Sequence, residues 1–246
     1  MNNVLNVSAY KFVALPDAAG LREPLLAQAR GLGLKGTILL AGEGINLVLA
    51  GAPHAVHALL SHLRTDARLA DLQAKESWSA TVPFDRMLVK HKREIIRMDH
   101  PAIQPAAGRA PALAARTLQR WLEQGHDDAG RPVVMLDTRN AFEVDHGTFA
   151  GAIDWRLAKF SDFPGALAAH LGQLQGKAVV SFCTGGIRCE KAALVMREAG
   201  VQDVWQLEGG ILKYFEETGG AHFQGRCFVF DGREALDAEL RPAHHS

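Results

Sequence analysis

Ala178-Val179-Val180-Ser181-Phe182-Cys183-Thr184-Gly185-Gly186-Ile187-Arg188-Cys189-Glu190-Lys191-Ala192 is the stretch from which the fold of this chain is read. Its first five residues, apolar apart from one serine, have the character of a short buried strand. Glu190 to Ala199 is a run of good helix formers. Between the two lies a glycine-rich turn that begins at Cys183. A cysteine where a strand hands over to a helix meets inward-pointing backbone N–H groups and the positive end of the helix dipole. Both favour thiolate over thiol, so Cys183 is predicted to be a nucleophile near neutral pH.

Outward from that loop, helix and strand alternate. Leu113 to Gln124, Pro164 to Leu174 and Ile211 to Thr218 read as helices; Val133 to Asp137, Gly151 to Asp154 and Val204 to Leu207 read as strands. Such alternation predicts a parallel sheet covered on both faces. In sheets of this kind the ligand crevice lies beyond the carboxyl ends of the strands, where Cys183 falls.

The first hundred residues read differently. Val7 to Leu15 alternates like a strand, Leu21 to Leu32 has helical spacing, and Gly36 to Ala41 and Ile45 to Ala50 are joined by the hairpin signal Gly42-Glu43-Gly44. A helix from Pro53 to Arg68 and a strand from Glu76 to Ile96 complete the order β-α-β-β-α-β, a ferredoxin-like arrangement. Asp99 to Pro111 carries three prolines and a glycine and reads as a linker. The expected organisation is therefore an N-terminal ferredoxin-like α+β domain over residues 1–98, a linker over 99–111, and a parallel-sheet α/β domain over 112–224. The core of that second domain is expected at 129–223, and the polar tail 225–246 shows no core pattern.

The 27 basic and 27 acidic residues cancel, which excludes a global positive field as the means of holding nucleic acid. No apolar run reaches membrane-spanning length, so no membrane partner is expected. Met1 to Tyr10 lacks the pattern of a secretion signal, and three cysteines are too few for a disulfide framework. A reducing, cytoplasmic location is the expectation.

The motifs also carry a resemblance. Leu136-Asp137-Thr138-Arg139-Asn140-Ala141-Phe142-Glu143-Val144, the loop from Cys183 to Arg188, and Leu207-Glu208-Gly209-Gly210-Ile211 resemble the three signature segments of the rhodanese domain. Phe182 to Lys191, Lys35 to Asn46 and Lys90-His91-Lys92-Arg93-Glu94-Ile95 are similar to the rhodanese-containing tRNA uridine hydroxylases. The resemblance covers nearly the whole chain. It implies oxygen-dependent hydroxylation of the wobble uridine of tRNA to 5-hydroxyuridine, with Cys183 as the essential residue and a persulfide-type nucleophile by analogy. It implies tRNA, at its anticodon region, as the partner and molecular oxygen as co-substrate. A rhodanese-type sulfurtransferase or persulfide carrier is the alternative. No protein partner is expected.

Within the loop, Cys-x4-Arg is a six-residue ring, one residue shorter than that of the related dual-specificity phosphatases, which sets sulfur chemistry above phosphate chemistry. Thr184, Gly185, Gly186 and Ile187 form the ring. Arg188 either holds an anion or the thiolate, or pairs on the surface with Glu190 or another acid. Cys189, placed at the start of the helix, either resolves an oxidised or persulfidated Cys183 or packs the helix start. Cys227 is expected to be structural.

Asp137 and Arg139 are expected to support the loop as scaffold, with Glu143 capping or bracing it. Gly147-Thr148 replaces the Gly-His pair of the broader rhodanese pattern, with His146 just before it. For RNA the candidates are Arg86, Lys90, Lys92 and Arg93, against the alternative of a lysine-guarded edge strand, and Trp155 with Arg156, against that of a hydrophobic anchor. No cofactor fingerprint is present and no metal site is expected: His54, His57 and His62 read as solvated, and His126-Asp127-Asp128 as a turn.

Overall fold

A computed structural model describes residues 3–242, which divide into one unit of residues 3–97 with 231–233 and a second of 98–230 with 234–242. In the first, the chain runs β1 (Val4–Phe12), α1 (Ala18–Gly31), β2 (Lys35–Ala41), β3 (Gly44–Gly51), α2 (Pro53–Leu63), β4 (Ala74–Ser79) and β5 (Met87–His91). The sheet order is β4-β1-β3-β2-β5, antiparallel except for β5, which lies parallel to β2. The first four strands have the ferredoxin-like order, and β5 extends its edge. Apolar residues at period two in β1 (Leu5, Val7, Ala9) meet Val56, Leu59, Leu60 and Leu63 of α2 and Leu25 and Ala29 of α1 in one core.

The expected single strand from Glu76 to Ile96 is two strands, β4 and β5, on opposite edges of the sheet. Residues 80–86, with Pro83 among them, carry the chain across, since proline cannot continue a ladder. The expected helix to Arg68 stops at Leu63 and is followed by a short 3-10 turn at Ala67–Leu69, where Asp66 accepts the Arg68 N–H.

The second unit runs β6 (Ala112–Leu113), α3 (Ala115–Gln124), β7 (Val133–Asp137), α4 (Ala141–Val144), β8 (Gly147–Phe149), β9 (Ile153–Asp154), α5 (Phe163–His170), β10 (Ala178–Phe182), α6 (Ile187–Glu198), β11 (Val204–Leu207), α7 (Gly210–Thr218), β12 (Phe223–Gly225), β13 (Cys227–Phe228) and β14 (Ala235–Leu236). Its main sheet is parallel, in the order β6-β11-β10-β7-β9. All of β10 is buried; Val180 and Phe182 join a core with Leu118 and Trp121 of α3 and Ile211, Tyr214 and Phe215 of α7. The alternate residues, Val179 and Ser181, face the side against which α6 packs.

Three further expectations need correction. Residues 99–111, read as a linker, belong to the second unit, where Pro105 and Ala110 are buried. Helix α6 begins at Ile187, so Arg188 and Cys189 lie inside its first turn; Gly186, at φ 99°, supplies the left-handed backbone that starts it. The tail is not without a core: Cys227, Val229, Ala235 and Leu236 are buried, and β13 pairs with β14. Its short apolar pairs are too brief for a periodic signal to show. Residues 243–246 of the expected tail lie outside the described residues. No helix of the described residues is long and apolar enough to cross a membrane.

Candidate active site

Cys183 stands one residue past the carboxyl end of β10, fully buried. The Gly186 N–H donates to its Sγ at 3.1 Å, the Arg188 N–H converges on the same atom, and the Cys189 thiol hydrogen-bonds to it. Burial by itself pushes the Cys183 thiol up. The bond from Cys189, the charge of Arg188 and the two backbone N–H groups outweigh it, and the net direction is well down. Cys189 moves the opposite way: its own burial and the neighbouring sulfur hold its proton in place. Thr138, whose hydroxyl donates to the Phe182 carbonyl at 2.9 Å, lies 3.8 Å from the Cys189 sulfur. The two shifts run in opposite directions, favouring the thiolate at Cys183 and the thiol at Cys189.

Arg188 makes no surface pair. Its guanidinium is clamped by Glu143 of α4, Nη1 donating to Oε2 at 2.5 Å and Nη2 to Oε1 at 2.7 Å, with both side chains buried. Glu190 pairs instead with Arg109. Glu143 also accepts the Asn140 N–H at 3.0 Å, which ties the start of α4 to the same carboxylate. Its role as the partner of Arg188 was legible only as far as the Asn140-x-x-Glu143 spacing of a capping box.

Below the loop, Arg139 and Asp137 form a wholly buried pair, Nε to Oδ1 at 2.9 Å and Nη2 to Oδ2 at 2.6 Å. Asp137 also accepts the Arg139 N–H at 3.0 Å and the Thr148 hydroxyl at 2.8 Å, while Arg139 donates to the Gly147 carbonyl at 2.6 Å. The bonds to Thr148 and Gly147 fasten the end of β7 to β8. Thr148 therefore does scaffold work where the wider pattern has histidine, and His146 is exposed, its ring 5.2 Å from that of Phe228. Cys227 is buried and pushed up to about 12, chiefly by burial, which suits a packing residue.

The loop is braced from α7. The Ile211 N–H donates to the Cys183 carbonyl at 3.0 Å and the Leu212 N–H to the Thr184 carbonyl at 3.2 Å. Gly210, at φ 69°, allows this approach: a Cβ there would stand 2.5 Å from the Cys183 oxygen and 2.7 Å from that of Thr184. Gly210→Ala should therefore displace the loop and slow alkylation of Cys183 at pH 7 by roughly tenfold or more, on the scale of a misplaced reacting group. Timed iodoacetamide labelling with peptide mass spectrometry measures it.

The RNA candidates belong to different units. Arg86, Lys90, Lys92 and Arg93 are exposed on or beside the edge strand β5 of the first unit, with Met87 and Val89 turned inward. Trp155 and Arg156 belong to the second unit. The Trp155 ring lies 5.6 Å from that of His170, nearly parallel, and its Nε1 donates to Gln173. Arg156 is engaged by Asp145 and Asp154. His57 contacts Glu76, and Asp127 is the buried centre of a turn, accepting the N–H groups of Ala129 and Arg131. Among the described residues no cluster of three or more His, Cys, Asp or Glu side chains is gathered to hold a metal ion.

Comparison with known proteins matches residues 4–95 to a family model described as a UPF0176 acylphosphatase like domain, and residues 114–217 to the Rhodanese-like domain. The chain is 68% identical over 240 residues to the tRNA uridine(34) hydroxylase of Variovorax paradoxus, covering 98% of this chain and 91% of that one. It is 66% identical over 243 residues to the protein of the same name from Bordetella petrii, with 99% and 96% covered. It is 65% identical over 240 residues to that of Delftia acidovorans, with 98% and 91% covered.

Proposed function

Because this chain belongs to the tRNA uridine(34) hydroxylase family, we propose that it hydroxylates the wobble uridine of tRNA at C5, with Cys183 as its nucleophile. One observation carries the assignment of the nucleophile: the Gly186 and Arg188 N–H groups and the Cys189 thiol all converge on the Cys183 sulfur. A thiolate so held adds to C6 of uracil, and the electron pair of the C5–C6 bond moves onto C5 and the C4 carbonyl. C5 then takes up oxygen. Loss of the C5 proton and expulsion of the thiolate restore the ring as 5-hydroxyuridine. With molecular oxygen as co-substrate, the second oxygen atom leaves as water and requires two electrons and two protons from a reductant. Cys189 keeps its proton through these steps and steadies the sulfur.

Glu143, Arg139 and Asp137 hold the loop. Lys90 of β5 and Lys92 just beyond it, both exposed, contact tRNA phosphates. A tRNA substrate sets the work in the cytoplasm.

Nucleoside analysis of tRNA tests the reading in a strain with no other source of 5-hydroxyuridine. Deleting the gene should remove 5-hydroxyuridine and the modifications built on it, and restoring the gene should return them. Unchanged nucleosides after deletion would sink the hydroxylase reading. Thiosulfate-to-cyanide sulfur transfer would then become the activity to assay.

A further inference from the structure

Three phenylalanines that the nucleophile does not use surround the same loop. Phe142 precedes Glu143 on α4 and is 45% exposed, while Glu143 turns inward to Arg188. Phe228 lies in β13 and Phe230 two residues on, 56% exposed. The rings meet edge to face, with centroids 5.2 Å apart for Phe142–Phe228 and for Phe228–Phe230, and 6.2 Å apart for Phe142–Phe230. Large apolar rings are ordinarily taken out of water, so two left exposed side by side mark a binding surface.

The cluster is fastened to the site at three points. The Phe228 carbonyl accepts the Thr184 hydroxyl at 3.3 Å. The Arg188 guanidinium lies 5.9 Å from the centre of the Phe230 ring. Phe142 shares the backbone of α4 with Glu143, the residue that clamps Arg188. Edge-to-face packing leaves ring faces open to a flat partner.

We propose that Phe142 and Phe230, whose rings stand at 88° to one another, form a two-sided platform for the uracil ring as it leaves the anticodon and is presented to Cys183: the base stacks on one ring while the other packs against its edge. The inference rests on the hydroxylase reading and deepens it. A base drawn out of its stack loses its neighbours, and aromatic rings beside the nucleophile replace them. The surface is the size of a base and not of a protein: two exposed rings fall far short of the roughly 800 Å² that each partner of a stable protein interface buries. Stacking also asks nothing of charge, which suits a chain whose basic and acidic residues are equal in number.

The test uses the full chain and an RNA hairpin with the anticodon sequence, carrying either uridine or an abasic nucleotide at the wobble position. Phe142→Ala and Phe230→Ala should each bind the uridine hairpin roughly tenfold more weakly than the parent. Tyrosine at either position should restore binding, and leucine, apolar but not flat, should not. On the abasic hairpin the parent should lose a similar factor and the alanine variants should lose nothing more. Parent-like affinity of the alanine variants for the uridine hairpin, or an equal loss on both hairpins, overturns the platform.

Complementation of the deletion strain separates this inference from the reading beneath it. A parent gene that restores no 5-hydroxyuridine defeats the hydroxylase assignment. Alanine variants that restore it as fully as the parent at limiting expression defeat the platform alone.

Discussion

Cys183→Ser should lower 5-hydroxyuridine formation by roughly a thousandfold or more, the scale of losing an activated nucleophile. A serine hydroxyl in the same cradle would receive the same N–H groups, but it does not ionise near neutral pH. Mass spectrometry of wobble nucleosides from the complemented deletion strain measures the loss. Activity equal to the parent's would remove Cys183 from the reaction.

A pH profile checks the state of the sulfur directly. Burial raises the Cys183 thiol, but the Cys189 bond, the Arg188 charge and the backbone N–H groups bring it down to about 5. Its alkylation should therefore titrate with a midpoint of about 5, far below the ordinary thiol value of 9.0. The folded-state value is depressed, so between about 5 and 9.0 the unfolded chain binds the proton more fully, and stability rises with pH across that window. The contribution is complete above 9.0 and is lost as pH falls through about 5. Cys183→Ser should abolish this slope in urea unfolding, and an unchanged slope would show that the sulfur is not ionised.

The second large effect is expected at Glu143. Glu143→Gln keeps an acceptor for the Asn140 N–H but leaves the buried guanidinium of Arg188 without its carboxylate. Removing one partner of a buried pair costs about 3–5 kcal/mol. That is about 10 °C or more in Tm for a domain of this size, read by thermal unfolding. The direction at the sulfur is informative as well. With Glu143 neutral, the charge of Arg188 acts uncancelled on Cys183, so the alkylation midpoint should fall further. The thiolate would in turn offset part of the lost pairing, so the destabilisation should be smaller above the Cys183 midpoint than below it. An alkylation midpoint that rises would mean that Glu143 holds the loop by shape alone.

Much of this was legible in the sequence because periodicity and turn chemistry report local structure. The strands Val133–Asp137, Ala178–Phe182 and Val204–Leu207 stand where their apolar runs placed them, with Cys183 at the end of the second. The segment after Glu76 was misread because a polar, alternating stretch does not say that its two halves cross to opposite edges of a sheet; only the pairing of β4 with β1 and of β5 with β2 decides that. The pairing of Arg188 was out of reach for the same reason. Glu190 is its near neighbour in sequence, but an i,i+2 pair on a helix does not share a face, and the acid that meets it lies 45 residues upstream. Phe142, Phe228 and Phe230 carried no signal, because single phenylalanines in short irregular segments look like ordinary core residues until their exposure is known.

The Glu143–Arg188 pair also bears on what the pocket will admit. Asp137 is balanced by Arg139 and Glu143 by Arg188, so each of these guanidinium groups already has its own carboxylate beside the ionised sulfur. An arginine beside a reactive cysteine is otherwise well suited to a phosphoryl group, whose oxygens take both arms of the guanidinium. Here both arms are already taken by a carboxylate, so an entering dianion would meet the ionised sulfur without a free guanidinium to receive it. A neutral heterocycle meets no such repulsion. Selection against phosphate esters is thus built in behind the nucleophile, in a carboxylate that the substrate need never touch.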